Sequence, residues 1–188
     1  SRGLGDVYKR QVSYEADGEN PFRFGSFTTM GEFYVETGLN IIGMSDYKRI
    51  LSVDSAMAVV QFRKDKVAYQ RNYFISYPAN VMVVRFSADQ PGKQNLVFSY
   101  APNPVATGNM AADGSNGLVY SASLDNNGMK YVVRIQAEAK GGALINADGK
   151  LTVKGADEVI FYITADTDYK PNFDPDFEDP KTLSLIHI

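Results

Sequence analysis

Apolar and polar residues alternate with a period of two along much of this chain, and no stretch sustains a helical period. In "YQRNYFISY", Tyr69, Arg71, Tyr73, Ile75 and Tyr77 share one face, and Gln70, Asn72, Phe74 and Ser76 share the other. Leu118, Tyr120, Ala122 and Leu124 alternate with Val119, Ser121 and Ser123. Tyr131, Val133, Ile135 and Ala137 alternate with Lys130, Val132, Arg134 and Gln136. Each pattern predicts a strand with one apolar and one wetter face. "VMVVRF" at 81–86 and "VIFYI" at 159–163 are apolar on both faces. They predict central strands covered on both sides.

Turn chemistry separates these segments. "DNNG" at 125–128 and "NADG" at 146–149 put Asn, Asp and Gly where a positive φ costs least. Pro78 in "SYPAN" and Pro91-Gly92 in "ADQPGKQ" interrupt any ladder. Short strands at such spacing predict an all-β fold, a large antiparallel β-sandwich. The stretch 101–117, "APNPVATGNMAADGSNG", is poor in large apolar residues and is expected to be a long loop. No internal repeat and no linker precede Lys170. The Pro- and Asp-rich "KPNFDPDFEDP" beyond it is expected to cross the surface.

Composition narrows the chemistry. The 188 residues include 12 Tyr and 11 Phe, which suit half-buried sheet faces, and carry a formal net charge of −3. The acidic balance and scattered basic residues argue against nucleic acid as a partner. No apolar run approaches the roughly 20 residues needed for a membrane span. With no Cys there is neither a thiol nucleophile nor a disulfide framework, which leaves the compartment open.

The two termini look foreign. LSLIHI at 183–188 and DVYKRQ at 6–11 back-translate to CTG TCT CTT ATA CAC ATC and GAT GTG TAT AAG AGA CAG, which are reverse complements. They resemble the recognition end of a transposase used to fragment DNA for sequencing, and SRGLG fits the adjoining primer tail. Residues 1–11 and 183–188 are therefore expected to be translated adapter, and 12–182 the native stretch, an internal piece of a longer gene. The single histidine, His187, falls in the excluded part. Without it a Ser-His-Asp triad and the usual zinc shells lack their imidazole.

Four segments in order and spacing carry a family resemblance. They are "FTTMGEFYVE" (27–36), "DYKRILSVDSAMAVVQF" (46–62), "VAYQRNYFISYPANVMVVRFSADQPGK" (67–93) and "LTVKGADEVIFYITADTDY" (151–169). They resemble the N-terminal β-sandwich domain of glycoside hydrolase family 95, the α-L-fucosidase family. The family pattern falls on Tyr47, Arg49, Leu51, Val53 and Ala56, then on Tyr69, Arg71, Phe74, Ser76, Pro78, Val81, Val83 and Arg85. The chain departs from it at "RKDKV", where Lys66 holds a position often occupied by Gly; a loop longer than two residues is expected there. The family's "GNGRLG"-like start is missing too, so an incomplete sandwich with an unprotected edge is expected.

The resemblance implies a non-catalytic sandwich supporting a C-terminal helical-barrel domain that hydrolyses fucosylated glycans with inversion. It implies an oligosaccharide substrate for the whole enzyme and no cofactor. Export to the periplasm or the extracellular space is expected, because such an enzyme must meet glycans outside the cell. Inversion needs two carboxyl groups roughly 6.5–9.5 Å apart. The resemblance puts them in the helical domain, so no catalytic, cofactor-binding or metal residue is assigned within 12–182. Local candidates have plainer readings beside the functional ones. Tyr69, Tyr73 and Tyr77 form either a sugar-stacking platform or core. Arg49, Arg71 and Arg85 either grip a substrate carboxylate or pair with Asp or Glu. Asp174, Asp176, Glu178 and Asp179 could offer oxygens to calcium but lack the spacing of an EF-hand loop. "GADE" at 155–158 is turn chemistry with no following helix pattern. The alternative to the enzyme reading is a stand-alone carbohydrate-binding sandwich.

Overall fold

The computed structural model describes residues 28–125 and 128–169. The expectations for 1–11, for the acidic tail at 174–179 and for 183–188 lie outside the described residues. Every regular element among those described is a strand. In chain order they are β1 (Gly31–Glu36), β2 (Met44–Ser52), β3 (Met57–Lys64), β4 (Val67–Ser76), β5 (Val81–Ala88) and β6 (Gln94–Pro102), then β7 (Ala106–Asp113), β8 (Gly117–Leu124), β9 (Lys130–Lys140), β10 (Ala143–Ala147), β11 (Lys150–Ala156) and β12 (Glu158–Thr167). They form two antiparallel sheets, one of four strands in the order β1-β6-β11-β10 and one of eight in the order β2-β3-β4-β5-β12-β9-β8-β7.

The core sits where the small sheet covers the middle of the large one. Leu96, Phe98 and Tyr100 of β6 and Leu151 and Val153 of β11 face Phe86, Leu118, Tyr131, Val133, Ile135, Val159 and Phe161 of the large sheet. All are buried, and Phe98 stacks on Phe161 across the gap with ring centroids 4.6 Å apart. The period of two explains the sorting: Val159, Phe161 and Ile163 turn inward, while Glu158, Ile160 and Tyr162 turn outward. β5 and β12 are the central pair, as their apolar runs predict. Their outer faces are only half covered, however: Ile160 and Tyr162 are half-buried and Arg85 is exposed. The expected second cover is absent among the described residues.

Two expectations about connections are corrected. The stretch 101–117 is not a long loop, because its middle forms β7, fully paired to β8 from Ala106↔Leu124 to Asp113↔Gly117. An outermost strand packs one side on the core and gains its order from a single ladder, so small residues suffice. At "RKDKV", Lys64 pairs with Val67, leaving a two-residue turn. Asp65 and Lys66 both take positive φ, 50° and 65°, the conformation that a primed turn needs and glycine meets at least cost. The "NADG" hairpin behaves as expected, with Asp148 and Gly149 at φ 52° and 69°.

The chain crosses between sheets repeatedly, and side chains fix the corners. Asp157, between β11 and β12, accepts a bond from Gly92 N at 2.7 Å and donates its own N–H to Lys140 O at 2.8 Å. One residue thereby ties three corners together. At the next corner a Cβ on Gly142 (φ 65°) would lie 2.3 Å from Lys154 O, so only glycine lets β9 turn into β10. Asn103, buried between β6 and β7, donates to Thr28 Oγ1 at 2.9 Å and accepts from Val105 N at 2.9 Å. Met30 O is held from both sheets, by Tyr100 Oη at 2.6 Å and Tyr131 Oη at 3.0 Å.

Burial pushes both of these phenols above their ordinary value of 10.0. The folded chain therefore holds their protons more tightly than the unfolded chain does. Their contribution is complete below about pH 10 and is lost as pH rises through the folded values. Chemical-denaturation curves should show stability falling above about pH 10 together with tyrosinate absorbance, and Tyr100→Phe should blunt that fall. Phe98→Ala should cost about 3–5 kcal/mol by urea titration. Tyr34→Ala, on the solvent side of β1, should cost under about 1 kcal/mol. Lys66→Gly should raise stability by about 1 kcal/mol, because it relieves a left-handed residue; an unchanged midpoint would contradict the strain assigned to that turn.

Candidate functional site

The outer face of the large sheet is a lattice set by strand register. One row across β3, β4, β5, β12 and β9 runs Met57, Phe74, Val83, Tyr162, Gln136. The next runs Val59, Asn72, Arg85, Ile160, Glu138, and a third Gln61, Gln70, Ser87, Glu158, Lys140. Apolar groups thus concentrate in the first row and polar groups in the third. Gln61 Nε2 donates to Gln70 Oε1 at 2.9 Å, and Gln70 Nε2 to Asn72 Oδ1 at 3.0 Å. Arg85 pairs with Glu158, and that hydrogen bond raises the guanidinium's pKa. Tyr162 Oη donates to Glu138 Oε2 at 3.2 Å, and burial, then Glu138, push this phenol up. Both carboxylates are thereby engaged by neighbours.

Of the two readings of Tyr69, Tyr73 and Tyr77, packing holds for the first two. Tyr69 and Tyr73 project from the inward face of β4, where Tyr69 stacks on Phe62 at 5.2 Å and Tyr73 packs against the core. Burial raises the Tyr69 phenol, with Asp65 and Asp89 adding to it. Tyr77 lies beyond β4 in the turn and is 94% exposed. The three arginines separate as well. Arg85 has the expected carboxylate partner. Arg71 lies instead over two rings, 5.2 Å from the Phe62 centroid and 5.5 Å from that of Phe86. Arg49 is exposed on β2. The "GADE" stretch is a corner: Gly155 N donates to Asn95 Oδ1 at 3.0 Å, and Asp157 makes the clasp described above.

An open cleft of about 250 Å³ lies between the sheets beside β1, lined by Met30, Phe33, Ile75, Met82, Tyr100 and Ile163 among others. Its walls are mostly apolar and include no carboxylate, lysine or arginine. Sequence reasoning missed it because its lining comes from β1, β4, β5, β6, β9 and β12, which only the fold assembles. Among the described residues no group of three or more His, Cys, Asp or Glu is placed to hold a metal ion, and no helix is long and apolar enough to cross a membrane.

Comparison with known proteins gives this arrangement a context. The chain is 28% identical over 163 residues to "Probable alpha-fucosidase A" of Aspergillus niger, an alignment that takes in 81% of this chain and 20% of that protein. Its fold is similar to a solved structure described as "Putative kojibiose phosphorylase from human microbiome", with a TM-score of 0.50 and 12% identity over 73% of this chain and 22% of that one. The chain thus spans about a fifth of the length of each of these relatives. The sequence profile described as Glycosyl hydrolase family 65, N-terminal domain, matches residues 6–172. With that match running through all twelve strands, the chain belongs to the glycoside hydrolases as a member of the family 65 N-terminal domain family.

Proposed function

We propose that this chain is the non-catalytic N-terminal sandwich of an inverting α-L-fucosidase of the family 95 type, supporting a C-terminal helical catalytic domain. The observation that carries the reading is the alignment with the Aspergillus niger protein, which takes in 81% of the chain. It agrees with the strand motifs around Tyr47–Ala56 and Tyr69–Arg85 that resemble family 95. The side chains support a scaffold role. Glu138 and Glu158 are bonded to Tyr162 and Arg85, and the apolar cleft has no carboxylate in its wall. Hydrolysis with inversion needs a free acid and a free base on opposite sides of the sugar. The substrate class is a fucosylated oligosaccharide, and an exported enzyme suits it.

The stand-alone carbohydrate-binding reading loses its main support, because Tyr69 and Tyr73 point into the sandwich. Sugar stacking needs an accessible ring face.

Two measurements test the proposal. The 188-residue chain is expected to release no fucose from fucosylated oligosaccharides, and calorimetry with millimolar sugar should show no binding heat. The longer polypeptide is expected to release β-fucose first from an α-linked substrate, seen as the initial anomeric signal in proton NMR. An initial α-anomer, or turnover by the 188-residue chain itself, would overturn the assignment.

A further inference from the structure

One inward position of β6 is not hydrophobic. Gln94, Leu96, Phe98 and Tyr100 share that face by the period of two, and Gln94 is as buried as the others, only 5% exposed. It opens the strand, opposite Ala156 of β11. Its Nε2 meets no acceptor among the described residues. An unbonded buried amide costs stability, where an apolar side chain would pack without that cost. The position therefore asks for a partner.

Across the gap, β4 shows a matching break. Arg71 faces inward between Tyr69 and Tyr73 and lies over the rings of the buried Phe62 and Phe86. Rings attract a cation but do not cancel its charge, and the guanidinium keeps five N–H donors in its plane. Among the described residues Arg71 has no carboxylate partner.

Arg71, Lys93 and Gln94 line one small recess between the sheets, walled by Phe62, Tyr69 and Phe86. Its free volume is about 10 Å³, room for a single sphere about the size of a water. The lining has two cations and no carboxylate. Asp65 and Asp89, whose charges raise the Tyr69 phenol, are not part of that lining. Asp89 Oδ1 accepts from Ala68 N at 2.9 Å, and Asp65 pairs with Lys64 at 3.7 Å.

A wall of donors and positive charge needs an acceptor. A water would bring two hydrogens of its own into a place already supplied with them. A sulfate or a sugar carboxylate exceeds the volume. A halide ion offers acceptor capacity alone, carries the opposite charge and fills one sphere. The surrounding rings lower the local dielectric and strengthen its attraction to Arg71.

We propose that this recess is an anion site holding one chloride ion, which bridges Arg71 of the large sheet to Gln94 of the small one. The ion braces the two layers where β5 passes to β6. Lys93, exposed beside the recess, draws the anion in. The site does not depend on the reading given under Proposed function.

The test uses the 188-residue chain at fixed ionic strength, with sodium chloride exchanged stepwise for sodium gluconate, whose anion is too large to enter. Two quantities are read: the urea midpoint, and the linewidth of the chloride-35 NMR signal. An ion bound by the folded chain alone must raise the midpoint as its concentration rises. The wild-type chain is expected to broaden the chloride line and to gain midpoint with chloride. Arg71→Met should lose both effects. Gln94→Glu supplies a tethered carboxylate at the same place, so its midpoint should be independent of chloride. Arg49→Met, at an exposed arginine of β2, should keep both effects. If Arg71→Met does not fold, Gln94→Glu and Arg49→Met decide the matter. Equal wild-type midpoints in chloride and gluconate would overturn the site, leaving the recess to water, and broadening without a midpoint change would overturn it equally. A chloride effect that survives in Gln94→Glu, or that disappears in Arg49→Met, would place the ion elsewhere and overturn it as well. None of these outcomes touches the enzyme reading.

Discussion

Everything in this domain is organised by one mismatch: a sheet of four strands covers a sheet of eight. The small sheet can bury only what lies beneath it, so the deepest residues cluster where β6 and β11 cross β12, β9 and β8. The Phe98–Phe161 stack marks the middle of that overlap, with Leu151, Val153, Ile135 and Val159 packed around it. Burial of this kind dominates stability because each large side chain removes substantial apolar area from water. Outside the overlap, β2 goes uncovered: its Ile50 and Leu51 remain exposed.

Unequal sheets also make the corners matter. The chain passes between layers several times, and at each passage backbone groups leave one ladder before joining the next. Buried polar groups need partners wherever a ladder is interrupted. Asp157 answers this at three corners at once, and Asn103 does so where β6 leaves for β7. Both side chains fix corner geometry, and "GADE", turn chemistry by its sequence, is such a corner in the fold.

The same logic separates the two surfaces of the large sheet. Its inward face beside the overlap takes Tyr69 and Tyr73 of β4, while its outward face runs from an apolar row to a polar row. The alternation seen in the sequence cannot say which of the two faces meets the other sheet when both contain rings. Tyr69, Tyr73 and Arg71 turn inward because β4 pairs with β5 through Tyr73↔Val84, and Val84 is core. That one register decides that Tyr69 and Tyr73 are packing rather than a platform.

The sequence by itself determined the all-β class, the central position of the β5 and β12 runs, the hairpin at "NADG" and the family to which the strand motifs point at the level of a glycoside-hydrolase N-terminal domain. These are local properties: alternation, turn residues and apolar runs act over a few neighbours. The tertiary structure decided the rest. It made a strand of the apolar-poor 106–113, since an edge ladder needs a partner more than it needs large side chains. It held Lys66 in a left-handed turn, gave Arg71 two rings and Arg85 a carboxylate, and gathered the cleft from six strands. Each of these depends on contacts between residues far apart in sequence, and local pattern carries no information about which distant segments will meet.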